Sequence, residues 1–288
     1  VRLWRHISGF ALCGGVREFH ATLEDRMMRA LGTLIIAAAG ATAAADNIRI
    51  TVENLNAPGG FSLTPFWLAV HDGSFDIFDP NTMSSNWPGL TELAEEGDTS
   101  VLGARFESSM AFANGGVHTT LVQPNGAPVF SPGESASITL DVGDASVNRW
   151  LGFATMVVPS NDLFIASGNP TRFELFDAGG NFNGPIVIDI LGQQVKDNGT
   201  EVNDAFDGAA FSTNGGSGTD ESFNIRNFFT QTGDEAYLAS FIGTGTADGG
   251  SITNAFGRDD LIARITIVPA PAAGSLALLG LAAVRRRR

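Results

Sequence analysis

The residues of this chain whose types and spacing could do chemistry are carboxylates at the exits of two apolar runs. Leu151-Gly-Phe-Ala-Thr-Met-Val-Val158 is rich in apolar residues and stops at Pro159, which has no N–H for a ladder, so it reads as a strand that delivers Asp162 into a loop. Pro185-Ile-Val-Ile-Asp-Ile-Leu191 reads as a second strand, and its exit carries Asp197, a turn at Asn198-Gly199, and Glu201. Hard oxygen ligands, a glycine for a sharp turn and no neighbouring thiol or imidazole suit calcium better than zinc. The competing reading is an acidic loop that does no more than face solvent.

Met156-Val-Val-Pro-Ser-Asn-Asp162-Leu-Phe164 resembles the Met-Val-Pro-Ser-Pro-Asp-Trp signature of spondin N-terminal domains, and Asp197-Asn-Gly-Thr-Glu201 resembles their Asp-Ala-Gly-Thr-Asp. Upstream, Leu63-Thr-Pro-Phe-Trp-Leu-Ala-Val-His71, Phe75-Asp-Ile-Phe78 and Gly89-Leu-Thr-Glu-Leu-Ala-Glu-Glu-Gly97-Asp98 follow the family's order of blocks, so the likeness spans roughly residues 48 to 205. The resemblance implies a C2-like β-sandwich with a calcium ion at one loop end. It places the ligands at Asp162, the Asp197 backbone region and Glu201. Asn161 stands where the family usually has proline, Leu163 where it has tryptophan, and Glu201 where it has an aspartate. The longer Glu201 side chain moves the expected ion by about one carbon–carbon bond. The cysteines of animal members are absent.

Other chemistries find less support in the sequence. His71 and His118 are the only histidines past the leader, and neither has a partner at zinc-ligand spacing. His71 reads as a satisfied polar residue near the core. No Gly-x-Ser-x-Gly elbow occurs, and the abundance of acids is not evidence of a glycosidase pair. Gly215-Gly-Ser-Gly-Thr-Asp220 matches the first six positions of a calcium-binding repeat but occurs once, and such turns bind calcium only when stacked, so it reads as a flexible loop. Trp67, Trp87 and Trp150 sit in or beside apolar runs and read as packing residues.

The net charge of −14 understates how acidic the body is, because nine arginines lie in the two ends; between residues 46 and 268 eight basic side chains face 28 acidic ones. Such a field repels phosphate backbones and excludes nucleic acid as a partner, while divalent cations are its natural counter-ions. The single cysteine, Cys13, precedes the body, which removes disulfides, thiolate metal sites and cysteine nucleophiles together.

The remaining pattern is β-rich. Strands are expected at 48–55, 66–71, 117–123, 136–142, 150–158, 171–176, 185–191, 236–242 and 261–268, with short helices at 90–94 and 101–106, the second capped by Thr99 or Ser100. Residues 203–235 and 243–258 read as long Gly-rich surface loops. With no ordered βαβ units, the fold class is all-β: an antiparallel sandwich with short helices.

The ends differ from the body. Residues 27–45 run from Met27-Met-Arg through an apolar stretch to Ala-Ala-Ala45, the pattern of a signal peptide cut after Ala45, and residues 1–26 read as an over-extended gene start. At the other end, Pro269-Ala-Pro, the apolar run Ser275–Val284 and four arginines resemble the PEP-CTERM sorting tail of Gram-negative bacteria, with Ala270 where the family has glutamate. That resemblance implies transient inner-membrane association and an exosortase-type processing enzyme. The expected organisation is therefore 1–45 leader, 46–268 spondin-type sandwich and 269–288 tail. The expected function is a non-enzymatic, exported, calcium-binding protein that engages an extracellular matrix polymer or a cell-surface component. The alternative is an extracellular calcium-stabilised hydrolase acting on polysaccharide. A pair of inward carboxylates in a deep groove favours the hydrolase, and a loop-lined end with its acids gathered on one ion favours the binding module.

Overall fold

A computed structural model describes residues 47–246 and 249–270. The expected leader, and the tail beyond Ala270, lie outside the described residues. In chain order the strands are β1 (Asn47–Asn54), β2 (Ser62–Leu63), β3 (Phe66–His71), β4 (Val117–Leu121), β5 (Ser135–Asp141), β6 (Trp150–Val158), β7 (Leu163–Ala166), β8 (Ile186–Leu191), β9 (Lys196–Asp197), β10 (Arg226–Asn227) and β11 (Leu261–Pro269). They form two antiparallel sheets, one ordered β5-β1-β11-β8 and one ordered β10-β9-β7-β6-β3-β4, with β2 paired to β6. The protein is thus an all-β sandwich.

The alternation in the sequence explains which faces meet. In β1, Ile48, Ile50 and Val52 are fully buried between the sheets, while Arg49 points to solvent and Thr51 and Glu53 are half-buried. β3 is buried along its whole length, because Phe66, Leu68 and Val70 join the core between the sheets and Trp67 and Ala69 face the other way. That second face is covered by α1 (Leu90–Glu96), α2 (Ser100–Glu107) and α3 (Met110–Ala113); Leu90, Leu93, Leu102 and Ala111 join Trp67 and Phe75 in one cluster, and Phe106 packs edge-on against both rings. His71 ends β3 fully enclosed, its Nδ1 accepting from the Gly73 N–H at 3.0 Å. Burial lowers its pKa to about 4, with the charge of Asp72 opposing, so it is neutral at physiological pH.

Several expectations need correction. Residues 236–242 are not a strand: 236–240 belong to α4 (Asp234–Ser240) and Phe241 follows as its C-cap. Tyr237, Leu238 and Phe241 recur at helical spacing and are buried, and Asp234 and Glu235 suit the first turn. Residues 171–176 form no strand and pair with β6 through the isolated bridge Trp150–Glu174, with Phe173 packed on Phe153; just before them the Asn169 side chain takes the Thr171 N–H at 2.9 Å and turns the chain. Thr99 is the N-cap residue of α2, as expected, but its side chain makes no capping bond; the Asp98 carboxylate instead accepts from the Ser100 N–H at 2.8 Å and its hydroxyl at 2.9 Å. The sandwich also runs past 268: Pro269 pairs with Ile48, and the Ala270 N–H donates to Asn47.

Candidate metal centre

Three elements of the larger sheet converge where β6 ends. Beyond Val158, the Val158–Pro159 peptide is cis and the chain turns through Ser160-Asn161-Asp162 into β7, all three residues being fully buried. Ser160 holds this turn, its hydroxyl donating to the Val157 carbonyl and accepting from the Leu163 N–H at 3.1 Å. β9 lies against β7 with Leu163 opposite Asp197, so the two acids the sequence placed at separate strand exits meet here. β10 pairs on the far side of β9 with Arg226 opposite Asp197, and α4 supplies Asp234 and Tyr237.

The turn after Asp197 is built by its own carboxylate. Asp197 Oδ1 accepts from the Gly199 N–H at 2.9 Å, and Gly199 sits at φ +69°, where a Cβ would lie 2.8 Å from the Phe223 carbonyl oxygen. This folds Thr200 and Glu201 over Asp162, whose Oδ2 accepts from the Thr200 N–H at 2.9 Å and the Glu201 N–H at 3.2 Å. Asp162 Oδ1 is also buried yet has no hydrogen-bond partner, and the side-chain oxygens of Asn198 and Asn203 are in the same condition. The three orphans belong to one network. Asn198 donates to Thr200 Oγ1, which contacts Asp162 Oδ2 at 3.3 Å, and Asn203 donates to Asp197 Oδ2 at 2.7 Å.

Among the described residues Arg226 is the one cation built into this network. It donates to Asp197 Oδ2 at 2.5 Å and to both oxygens of Asp234 at 2.9 Å. Burial works against its charge, but the Asp234 hydrogen bonds and the Asp197 charge hold its pKa above the usual arginine range. Asp162 is pushed well above the ordinary carboxylate range, first by burial and then by the Asp197 charge, with the Thr200 and Glu201 N–H groups opposing. Asp197 is raised by burial against the pull of Arg226, and Glu221 is raised by burial and by Asp197. Four carboxylates, Asp162, Asp197, Glu221 and Asp234, thus share one guanidinium. Beneath them Tyr237, the only tyrosine in the chain, donates to Asn161 Oδ1 at 2.8 Å and accepts from the Asn161 N–H at 3.0 Å.

Glu201 brings its backbone to Asp162 and its carboxylate to a different group. Burial, and then the charges of Glu95, Asp220 and Asp207, raise its pKa to about 7. The segment 215–220 lies against it: Glu201 bridges Asp220, and a Cβ on Gly218 would fall 2.2 Å from Glu201 Oε1. Of the three expected ligands, the structure therefore sets Asp162 beside Asp197 and turns the Glu201 side chain toward the 215–220 segment. Among the described residues no three His, Cys, Asp or Glu side chains are grouped to hold a metal ion. The buried oxygens left without a partner in this network are one carboxylate oxygen and two side-chain amide oxygens, donor types that suit a hard cation better than zinc.

The sequence reading missed Asn203, Glu221, Arg226, Asp234 and Tyr237. One signal was present for Arg226, as one of only eight basic residues in a strongly acidic body. Among the described residues no helix is long and apolar enough to cross a membrane. Compared with protein-family models and with curated proteins, the chain matches none.

Proposed function

We propose that this protein is a non-catalytic, calcium-binding β-sandwich module that works outside the cytoplasm and engages a matrix polymer or a cell-surface component. The observation that carries the reading is the unpartnered Oδ1 of fully buried Asp162, set in a network where four carboxylates have one arginine as counter-ion. A buried carboxylate oxygen with no donor costs about 1–3 kcal/mol or more, and a divalent cation removes both that cost and the charge deficit. Asp162 and the Asn198 and Asn203 amide oxygens would hold the ion, with Asp197 beside them and Glu201 fixing the loop through its N–H. The ion would order residues 197–203 against β7, and that is the chemistry it supplies. The spondin-type motifs described above agree with this assignment, and the signal-like and sorting-like ends, outside the described residues, supply the export half of the proposal.

The hydrolase reading is less well supported. A glycosidase needs one carboxylic acid and one carboxylate free to act on the same bond. Of the three carboxylates that line the cavity beside this network, Asp197 and Asp234 are both engaged by Arg226, and Glu221 alone is not in an ion pair with it.

The test is a calcium titration of melting temperature on the full chain, wild type beside Asp162→Asn. Oxygen ligands with few net charges suggest a dissociation constant of ~10⁻⁴ to 10⁻³ M, and a hundredfold excess of ion over that value adds about 2.7 kcal/mol. The wild type should rise with calcium and Asp162→Asn should not. Equal shifts in both would remove Asp162 from the site and the proposal with it.

A further inference from the structure

Beside the metal centre the surface opens into a cavity of about 820 Å³, inside the range of roughly 300–1,000 Å³ typical of small-ligand sites. We propose that this cavity binds an uncharged carbohydrate, a short stretch of a neutral polysaccharide. The inference deepens the reading above, since it names the chemistry of the partner at the same end of the sandwich, and it rests on that end being a recognition face.

The floor of the cavity is rigid. Arg226 is clamped between Asp197 and Asp234, and the Asn203 NH₂ donates to Asp197, so these side chains hold one another in place. The rim is different. Asn81, Glu221, Asn224 and Gln231 line the same cavity, and among the described residues none makes a hydrogen bond through its side chain. Their backbone is nevertheless fixed, because Met83 bridges Asn224, the Asn81 N–H donates to Ile225 at 2.9 Å and the Ile225 N–H donates to Thr82 at 2.8 Å. Free planar amides on a held backbone are pre-organised partners, which lowers the cost of binding.

The chemistry of these groups selects the ligand class. Three carboxylates and one guanidinium line the cavity, an excess of negative charge that repels phosphate, sulfate and uronate groups. A purely cationic ligand would want acceptors alone, yet three of the four free rim side chains are amides, each carrying an NH₂ donor beside its carbonyl. Neighbouring hydroxyls of a sugar ring present donor and acceptor together and match a planar amide or carboxylate edge. Phe223, which also lines the cavity, is 64% exposed and offers an apolar face on which the C–H side of a sugar ring can lie. Asn81, Phe223, Asn224 and Gln231 are all exposed, so the site is open enough to take an internal segment of a chain. Asp197 links the two functions: it belongs to the cavity floor and stands beside Asp162, so an ion that orders residues 197–203 also firms the cavity wall.

The experiment is native affinity electrophoresis of the full chain through gels containing mannan, galactan or a β-glucan as neutral probes, alginate as an anionic one and chitosan oligomers as cationic ones. Wild type, Phe223→Ala and Asn224→Ala are run with calcium and with chelator, and melting curves confirm that each variant is folded. Retardation by at least one neutral polymer, none by alginate, and at least a tenfold weaker binding constant in both variants is the expected result. No retardation by any neutral polymer, equal retardation by alginate, retardation by chitosan alone, or unchanged binding in both variants each overturns the inference. The calcium titration above is a separate readout. A calcium shift without neutral-glycan binding sinks the cavity and spares the metal centre, whereas glycan binding without a calcium shift does the reverse.

Discussion

Two acidic groups lie on either side of the segment 197–201, and they manage their charge in opposite ways. The group around Asp162 and Asp197 is buried and partly compensated: Arg226 neutralises Asp197 and Asp234, backbone N–H groups hold one oxygen of Asp162, and the other oxygen is left unpartnered. The group around Glu201, with Glu95, Asp207 and Asp220, has no arginine or lysine among the charges that act most strongly on Glu201, and it relies on partial exposure to water. The difference shows where a cation is needed. Water can screen the second group for little, while Asp162, Asp197 and Asp234 are buried side chains that must find their counter-charge in the protein or in an ion.

The sharpest way to break this comparison is to remove the built-in cation. Arg226→Met keeps much of the apolar stem but leaves Asp197 and Asp234 buried without their partner, which should cost about 3–5 kcal/mol in urea unfolding. A loss no greater than that of an exposed ion pair such as Arg264–Asp189 would show that the network is not compensated by Arg226.

Next in size is the effect of pH on Asp162. Its folded pKa lies above that of the unfolded chain, so the folded state keeps a proton that the unfolded state releases. The stability this contributes is fully present below the ordinary carboxylate range and is lost as pH rises through the folded value. In chelator, the wild type should therefore weaken from about pH 4 upward. Asp162→Asn, which cannot ionise, should flatten that slope and be the more stable protein at pH 8 by about 1–3 kcal/mol. Calcium should invert the order at pH 8. Parallel pH profiles for the two proteins in chelator would show that Asp162 is already satisfied without an ion.

How much of this was legible in the sequence follows from how local each signal is. β1, β3, β6 and β11 announce themselves through runs such as Ile48-Arg-Ile-Thr-Val and Leu261-Ile-Ala-Arg-Ile, because alternation and β-branching act over a few neighbours. β7 was missed since Leu163-Phe-Ile-Ala166 is only four residues long and directly follows a loop, and β9 and β10 are two-residue strands that exist only through their partners. At the site, Asp162 and Asp197 could be found because each sits just past a strand and next to turn chemistry. Arg226, Asp234 and Tyr237 reach the same place from 29 to 75 residues further along the chain, through pairing of β10 with β9 and docking of α4, and no local pattern encodes that. The expectation of a strand at 236–242 failed for a related reason: Tyr-Leu-Ala-Ser-Phe-Ile suits either period, and only the Gly-Asp-Glu start, read as a helix N-terminus, separates them.

A third change sharpens the comparison from the exposed side. Gly218 sits at φ +73° with no room for a Cβ, which would fall 2.2 Å from Glu201 Oε1. Gly218→Ala should therefore cost about 1–2 kcal/mol through the left-handed backbone and push the Glu201 side chain aside. It should leave the calcium-induced melting shift at the Asp162 network in place. Loss of that shift would mean that the two acidic groups act as one site.

The smallest effect belongs to Glu201 itself. Its pKa is raised to about 7, by burial first and then by Glu95, Asp220 and Asp207. A raised folded value again means stability that is present at low pH and lost as pH climbs, here between about 4.5 and 7. Because the side chain is half-exposed, solvent screening should hold the energetic consequence below about 1 kcal/mol, so a stability curve is a poor reporter. Carbon-detected NMR of the Glu201 carboxyl is the better one, and it should show a midpoint near pH 7. Glu95→Gln removes the largest charge acting on Glu201 and should bring that midpoint down toward the ordinary carboxylate range, with the melting temperature almost unchanged. A midpoint that stays put in Glu95→Gln would take Glu95 out of the shift and leave it to burial and to the charges of Asp220 and Asp207.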